Sequence, residues 1–330
     1  MEKKIKDALH ALREDAKNPN NIMHIPSVYW GNWVETFDYI FDLRVEVVSK
    51  IRHHTDILTG SHPSQYFNSS SELRESMLAK YKVMKEGLKD YTFSEPECCG
   101  GFGFKNPDDG AILNKDIIRY MQLFSELNNS NMLKSEYNTI LEIGGGFGGL
   151  AVQFKRNYPN VKYFIVDLPH VLYFSASYIK SNFPKSNIYI YDNDACVDFD
   201  KYDFILLAPW AIDSIKNKSI DLVANQASLG EMTESQVDYY LSNIDRVMKD
   251  KGVFFSQNKR FNNPWNSELN NLTDKLVDQF STINPEVIYT EKLLSFKNRL
   301  KSLVYGKKSS SLLPINKYIK LILVKKKLMN

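Results

Sequence analysis

The chain of 330 residues predicts an α/β fold, a helical first part followed by an open, mostly parallel sheet, and three observations carry that expectation. Up to about residue 137, apolar residues recur at helical spacing between polar breaks. From residue 138, short apolar runs alternate with helical stretches. Between one such run and the next helical stretch lies a glycine-rich turn, Gly144-Gly145-Gly146-Phe147-Gly148-Gly149. The expected division is therefore 1–137, a helical segment, and 138–330, an α/β domain with a basic C-terminal segment.

In the first part, Trp33, Phe37, Ile40, Phe41, Val47 and Val48 mark one helical run, Leu73 to Leu88 a second and Ile112 to Leu127 a third. Between the last two, Cys98-Cys99-Gly100-Gly101-Phe102-Gly103-Phe104 and Pro107-Asp108-Asp109-Gly110 must be loop or turn. Strands are expected at Thr139 to Ile143, Tyr163 to Asp167, Phe204 to Ala208, Asp221 to Asn225 and Gly252 to Ser256. Ile188 to Tyr191 competes with Phe204 to Ala208 for the third strand position. A helix around Glu268 to Phe280, an apolar run Glu286 to Tyr289 and a final run Tyr318 to Val324 follow. Leu321-Ile322-Leu323-Val324 has no polar face, which favours a buried strand over an amphipathic membrane helix.

Composition excludes several classes. With 43% hydrophobic and 25% charged residues, and 19 Tyr, 19 Phe and 4 Trp to fill a core, disorder and fibrous repeats are ruled out. No apolar run approaches the roughly 20 residues that span a bilayer. The first residues mix both charge signs without an apolar h-region, so a cytoplasmic location is expected. Cys98, Cys99 and Cys196 form neither a disulfide framework nor a zinc spacing. Charge is uneven: residues 291–330 sum to +10 and the first 290 residues to −7. Such a basic end suits phosphate, a nucleotide- or lipid-linked substrate, or peripheral contact with an anionic membrane at its inner face, solvated lysines being the ordinary alternative. It lacks the interleaved aromatics of a nucleic-acid surface.

The chemistry-bearing segment is Leu141-Glu142-Ile143-Gly144-Gly145-Gly146-Phe147-Gly148-Gly149. Glycines here let the backbone turn tightly and approach a ligand, with the amides of the next helix aimed at it. Asp167 closes the following strand, where a carboxylate accepts hydrogen bonds from ribose hydroxyls. Gly144, Gly146 and Gly149 also satisfy GxGxxG, so a dinucleotide site competes. Glu142 favours a different cofactor: an acid two residues before the first glycine can hold, directly or through water, the ammonium of S-adenosyl-L-methionine, a group NAD lacks.

Glu142-x-Gly144-x-Gly146-x-Gly148 resembles motif I of the class I methyltransferases that use S-adenosyl-L-methionine, and Asp167 resembles their ribose-binding acid. Over about residues 138–325, Val166-Asp167-Leu168-Pro169-His170-Val171, Leu222 to Met232 and Phe255 to Phe261 are similar to the sugar O-methyltransferases of bacterial surface-polysaccharide loci. The resemblance implies a Rossmann-like sheet of seven strands with a last antiparallel strand, which Tyr318 to Val324 would supply. It also implies a cofactor site at Glu142, Gly144, Gly145, Gly146, Asp167, Leu168 and Asn225. For adenine, Pro209 and Trp210 compete with Asp192 to Asp194. The implied acceptor is a sugar or oligosaccharide, and the helical segment would form substrate walls or a homo-oligomer contact.

Methyl transfer requires an acceptor oxygen aligned with the methyl and relieved of its proton. Asn225, Gln226, Ser228, Gly230, Glu231 and Met232 follow the fourth strand, and Glu231 is the strong proton acceptor among them. Plant O-methyltransferases share the Asp-Leu-Pro-His-Val stretch but carry a His where this chain has Gly230, which disfavours a His base. Glu231 as base or orienting group competes with Glu231 as a cap for a helix starting near Thr233. Ser27, Tyr29 and Trp30 with the 100–104 loop suit a sugar platform or lid, helix packing being the commoner use of Trp30 and Trp33. An NAD-dependent oxidoreductase and a catalytically silent scaffold are the alternative functions. No metal spacing is evident.

Overall fold

The computed structural model describes residues 3–42, 45–67, 71–192, 197–259, 272–283 and 318–326. Its first part contains helices α1 (Lys3–Ala16) and α2 (Val28–Val34), the single turns α3 (Val45–Val48), α4 (Asp56–Thr59) and α5 (Ser64–Phe67), and the longer α6 (Ser71–Gly87) and α7 (Lys115–Asn129). The expected helical run from Trp33 to Val48 is broken, because Glu35–Asp42 is a 3-10 segment in which Phe37, Ile40 and Phe41 are buried. The expected third helix starts later than its apolar pattern. Phe104–Lys105 (β1) and Ile112–Leu113 (β2) pair as a small hairpin, and Asn114 then caps α7 by accepting from the Ile117 N–H at 2.9 Å.

Eight strands form the main sheet: β3 (Thr139–Ile143), β4 (Lys162–Val166), β5 (Ile188–Ile190), β6 (Phe204–Leu207), β7 (Ile220–Gln226), β8 (Met248–Lys259), β9 (Phe280–Thr282) and β10 (Tyr318–Lys325). Their order is β5-β6-β4-β3-β7-β8-β10-β9. Neighbours from β5 to β8 are parallel, while β10 runs antiparallel to both β8 and β9. The final apolar run is thus a buried strand. The two competing runs are both strands: β6 lies directly beside β4 and β5 forms the edge beyond it, one strand more than the expected seven. Helices α8 (Gly149–Asn157), α9 (Pro169–Asn182), α10 (Glu234–Val247) and α11 (Leu272–Gln279) complete the layers. The run Glu286 to Tyr289 and the basic C-terminal segment apart from residues 318–326 lie outside the described residues.

Alternation along the strands divides the core. Ile140, Tyr163, Ile165, Phe204 and Leu206 face one layer with Leu9, Phe41, Phe124, Phe154 and Phe174. Leu141, Ile143, Phe164, Val166, Ile205 and Leu207 face the other with Val237, Leu241, Ile244 and Leu276. The first layer takes residues from both sides of position 137, so the helical segment and the sheet share one core. Among the described residues, no helix is long and apolar enough to cross a membrane.

Candidate active site

A cleft of about 800 Å³, counted out to open solvent, lies at the carboxyl ends of β3, β4, β6 and β7. In an open parallel sheet, the strand on which the order reverses leaves room for a ligand at this end. Gly144, Gly146, Asp167, Leu168, Pro209 and Glu231 all line it. Gly145, Glu142, Trp210 and Asn225 lie outside that wall.

The turn after β3 is shaped by positive φ at Gly144 (73°) and Gly146 (56°). A Cβ on Gly144 would stand 2.2 Å from Ser228 Oγ, whereas one on Gly146 would meet nothing within 4 Å. Gly146 therefore presents bare backbone to the cleft. Its N–H donates to Asp167 Oδ2 at 2.9 Å, and the Leu168 N–H donates to Oδ1 at 2.7 Å. Burial nevertheless pushes the Asp167 carboxyl up to about 7. The ends of two adjacent strands are thus tied through one carboxylate on the cleft wall.

Glu142 lies on the other side of this turn. Its side chain points into the layer shared with α7 and α8, only 4% exposed, and accepts from the Tyr163 hydroxyl at 2.9 Å. Burial raises it to about 8; the Tyr163 hydrogen bond opposes this, Asp167 adds to it and Arg119 opposes it. Gly145 packs between Glu142 and Ile165. Asn225, fully buried, holds the ends of three strands together: its Nδ2 donates to Ile143 O at 3.0 Å and Ser228 Oγ at 2.5 Å, and its Oδ1 accepts from Asn258 at 2.8 Å. Trp210 stacks on His24 with ring centroids 4.1 Å apart, leaving Pro209 of that pair on the wall. Asp192 ends the described part of its segment; Asp194 lies outside the described residues.

Glu231 does not cap α10. Thr233 does, in a capping box with Gln236. Glu231 sits on a 3-10 turn after β7, and its Oε2 accepts the Trp30 indole N–H at 3.2 Å. Trp30 is therefore a cleft residue, not only a packing one. It arrives on a strap, residues 21–34, that Gln236 holds by donating to Ile25 O at 2.7 Å. Ser27 on this strap lines the cleft with a buried hydroxyl that has no partner among the described residues. A buried hydroxyl without a partner, bare glycine backbone and the Asp167 carboxylate thus line one cleft and can receive a polar ligand.

The 100–104 loop is placed elsewhere. Phe102 covers one side of the Arg52 guanidinium at 4.7 Å, and Phe147 of the glycine turn covers the other at 4.0 Å. His170 meets Asp38 at 2.9 Å, and His53 lies against Gly100, both away from the cleft. Cys98 and Cys99 are free thiols. Pattern reading missed Arg119, whose only local signal is its i, i+3 spacing to Asp116 on α7. No group of metal-ligating side chains occurs among the described residues.

A family model described as an O-methyltransferase domain matches residues 81–225. The match runs from α6 through the glycine turn to the end of β7, and with the observed sheet it decides between the cofactor classes. The fold is that of a class I methyltransferase. Its cofactor is S-adenosyl-L-methionine, and the dinucleotide alternative falls away. No curated protein matches the chain in sequence. Among solved structures, a SAM-dependent methyltransferase from Archaeoglobus fulgidus is 17% identical over 44% of this chain and 54% of its own, TM-score 0.29. Phosphoethanolamine N-methyltransferase 2 from Haemonchus contortus is 13% identical over 78% of this chain and 58% of its own, TM-score 0.38. The chain spans between half and two thirds of the length of these two proteins.

Proposed function

We propose that the protein is an O-methyltransferase acting on a sugar hydroxyl, with nucleotide- or lipid-linked saccharides of surface-polysaccharide assembly as the acceptor class. The observation that carries this reading is the pairing of Glu231 with Trp30 on the cleft wall. A carboxylate held by an indole N–H can accept a hydroxyl proton, and the indole's face can cover the apolar face of a sugar. The strap adds Ser27, whose hydroxyl has no partner among the described residues and can pair with an acceptor hydroxyl.

When bound, S-adenosyl-L-methionine supplies an electrophilic methyl group. The chain's own residues do the rest. Asp167 binds the ribose, the backbone of Gly144 and Gly146 borders the cofactor, and Pro209 and Leu168 form apolar wall toward the adenine. Glu231 orients the acceptor hydroxyl and takes its proton, while the strap excludes water and fixes the approach. The helical segment 1–137 supplies substrate walls through the strap.

The test is transfer of a labelled methyl group to a panel of nucleotide sugars and oligosaccharides. Transfer that Glu231→Gln reduces by about 10²–10⁴-fold, with affinity for S-adenosylhomocysteine retained, supports the reading. Cofactor binding with methylation of amines only would overturn it, and cofactor binding with no transfer would favour a silent scaffold.

A further inference from the structure

The adjacent cysteines Cys98 and Cys99 lie outside the cleft wall, on a turn with an unusual backbone. Cys98–Gly100 forms a 3-10 turn in which Cys99 holds φ 62°, a left-handed conformation that residues with side chains rarely adopt. The chain after it has no slack, since a Cβ on Gly101 would stand 1.8 Å from the Pro96 carbonyl oxygen. Cys98 is exposed, Cys99 is buried, and the two thiols are hydrogen-bonded to each other. From this arrangement we infer that Cys98 and Cys99 form a reversible thiol–disulfide site, which takes a low-molecular-weight disulfide as its oxidant and weakens cofactor binding when closed.

Cys98 has the surroundings of an attacking thiol. The hydrogen bond from Cys99 lowers it to about 7 against the effect of burial, and Arg156, in the last turn of α8, adds to the lowering; Cys99 is raised by the same hydrogen bond and by its burial. An exposed thiol that ionises near neutrality, with a second thiol beside it, is the arrangement that disulfide exchange requires. In the first step the Cys98 thiolate attacks one sulfur of the small disulfide. The S–S bond of that molecule breaks, a mixed disulfide forms on Cys98, and the departing thiolate takes up the proton that Cys98 released. In the second step Cys99 gives up its proton and its sulfur attacks the Cys98 sulfur. The mixed disulfide breaks, the bond between the two cysteines forms, and a second small thiol leaves with that proton. Two protein thiols are oxidised by two electrons, and one small disulfide is reduced to two thiols.

Closing this ring must move the turn. Neighbouring Cα atoms stand about 3.8 Å apart across a trans peptide, short of the roughly 4.4–6.8 Å that a disulfide usually spans. The movement reaches the glycine turn along α9. Ser181 of this helix is in hydrogen-bonding reach of Cys99. Nearer the start of the helix, Tyr178 packs edge-on against Phe147 at 4.9 Å, Ile179 packs against Gly148, and Ser175 Oγ donates to Gly146 O at 2.6 Å. A second path runs through Phe102 of the same loop, which covers Arg52 on the side opposite Phe147. Both paths end on the turn whose Gly144 and Gly146 line the cleft.

The test equilibrates the full chain carrying Cys196→Ser, in which Cys98 and Cys99 are the remaining thiols, with mixtures of reduced and oxidised glutathione. Mass spectrometry of the peptide holding both cysteines should show the loss of two hydrogens, reversed by dithiothreitol. Calorimetry should show S-adenosylhomocysteine bound about 5- to 150-fold more weakly by the oxidised than by the reduced protein, the usual range of coupling between two sites. By reciprocity, S-adenosylhomocysteine at a concentration saturating both forms should raise the oxidised glutathione needed for half-closure by the same factor. Cys98→Ser, a change at an exposed position, should bind S-adenosylhomocysteine equally well before and after oxidant. A glutathione adduct that stays on Cys98, or no oxidation at all, overturns the pairing of the two thiols. Closure with unchanged affinity overturns the link to the cofactor, and a redox-dependent affinity that persists in Cys98→Ser overturns the assignment to this turn.

Discussion

Trp30 and Glu231 are 201 residues apart in sequence and joined by a 3.2 Å hydrogen bond from the indole N–H to Oε2. The contact fastens the N-terminal strap to the turn after β7, so the candidate base and the lid over it share one bond. Trp30→Phe keeps the ring and removes the donor. A hydrogen bond to a charged group is worth about 1.5–3 kcal/mol, so kcat should fall by about 10- to 100-fold. Affinity for S-adenosylhomocysteine should stay within about twofold. A kcat equal to wild type in steady-state assays would show that the bond does not orient the carboxylate.

The glycine turn makes a graded prediction. Gly144→Ala must both hold a residue at φ 73° and place a methyl 2.2 Å from Ser228 Oγ, which itself donates to Ile143 O at 3.0 Å. The left-handed conformation costs about 1–2 kcal/mol and the clash about 1–3 kcal/mol, so denaturant unfolding should show a loss of several kcal/mol. Gly146→Ala has the positive φ alone, and its methyl enters open space on the cleft wall. It should lose only about 1–2 kcal/mol of stability yet bind S-adenosylhomocysteine much more weakly. Matching losses in both properties for both variants would show that Gly146 does not border the ligand.

What could be read along the chain and what could not differ by the range of the interactions. The strand Thr139 to Ile143, the turn after it and Asp167 are set by local pattern, and each falls where expected. Periodicity shows that a residue is buried, not what buries it. The 100–104 loop has the glycine content of a ligand loop, but its Phe102 packs on Arg52, about 50 residues earlier in the chain, which no local pattern encodes. Trp30 reads equally well as core or as site until the 3-10 turn at Leu229–Glu231 is seen beneath it. Ile188 to Tyr191 and Phe204 to Ala208 could not be ranked because both pair in the sheet, β6 being inserted between β4 and β5. Arg119 looks like half of a surface i, i+3 pair, yet its partner Asp116 is fully buried beside Arg52.

The Arg52 group carries a stability prediction. Its guanidinium is wholly buried against Glu95 and Asp116, and burial raises the Glu95 carboxyl even against the neighbouring arginine. Arg52→Met removes the cation and leaves two buried acids facing each other. Breaking a buried pair from one side costs about 3–5 kcal/mol, which should appear as a large fall in Tm. Glu95→Gln keeps the Asn114 and Arg52 geometry with a neutral acceptor and should cost less. The opposite ranking in thermal melts would show that packing between Phe102 and Phe147, not charge, sets the cost.

The two raised carboxyls predict opposite pH responses with and without cofactor. Asp167 is pushed to about 7 and Glu142 to about 8, both mainly by burial, from ordinary values near 4. The folded protein thus holds protons that the unfolded chain releases. Their contribution to stability is fully present below about pH 4 and is lost as pH rises through 7 and 8, so the cofactor-free protein should melt at progressively lower temperature from pH 5 to pH 8. A cationic ligand acts in the other direction, because on the cleft wall it pairs with the ionised form of Asp167. Affinity for S-adenosyl-L-methionine should therefore rise over the same interval, and calorimetry below pH 7 in buffers of different ionisation enthalpy should detect proton release on binding. Asp167→Asn should weaken binding at pH 8 and flatten its pH dependence below 7. Proton uptake on binding, or an affinity that does not change between pH 6 and pH 8, would mean that Asp167 does not meet the cofactor as a charge.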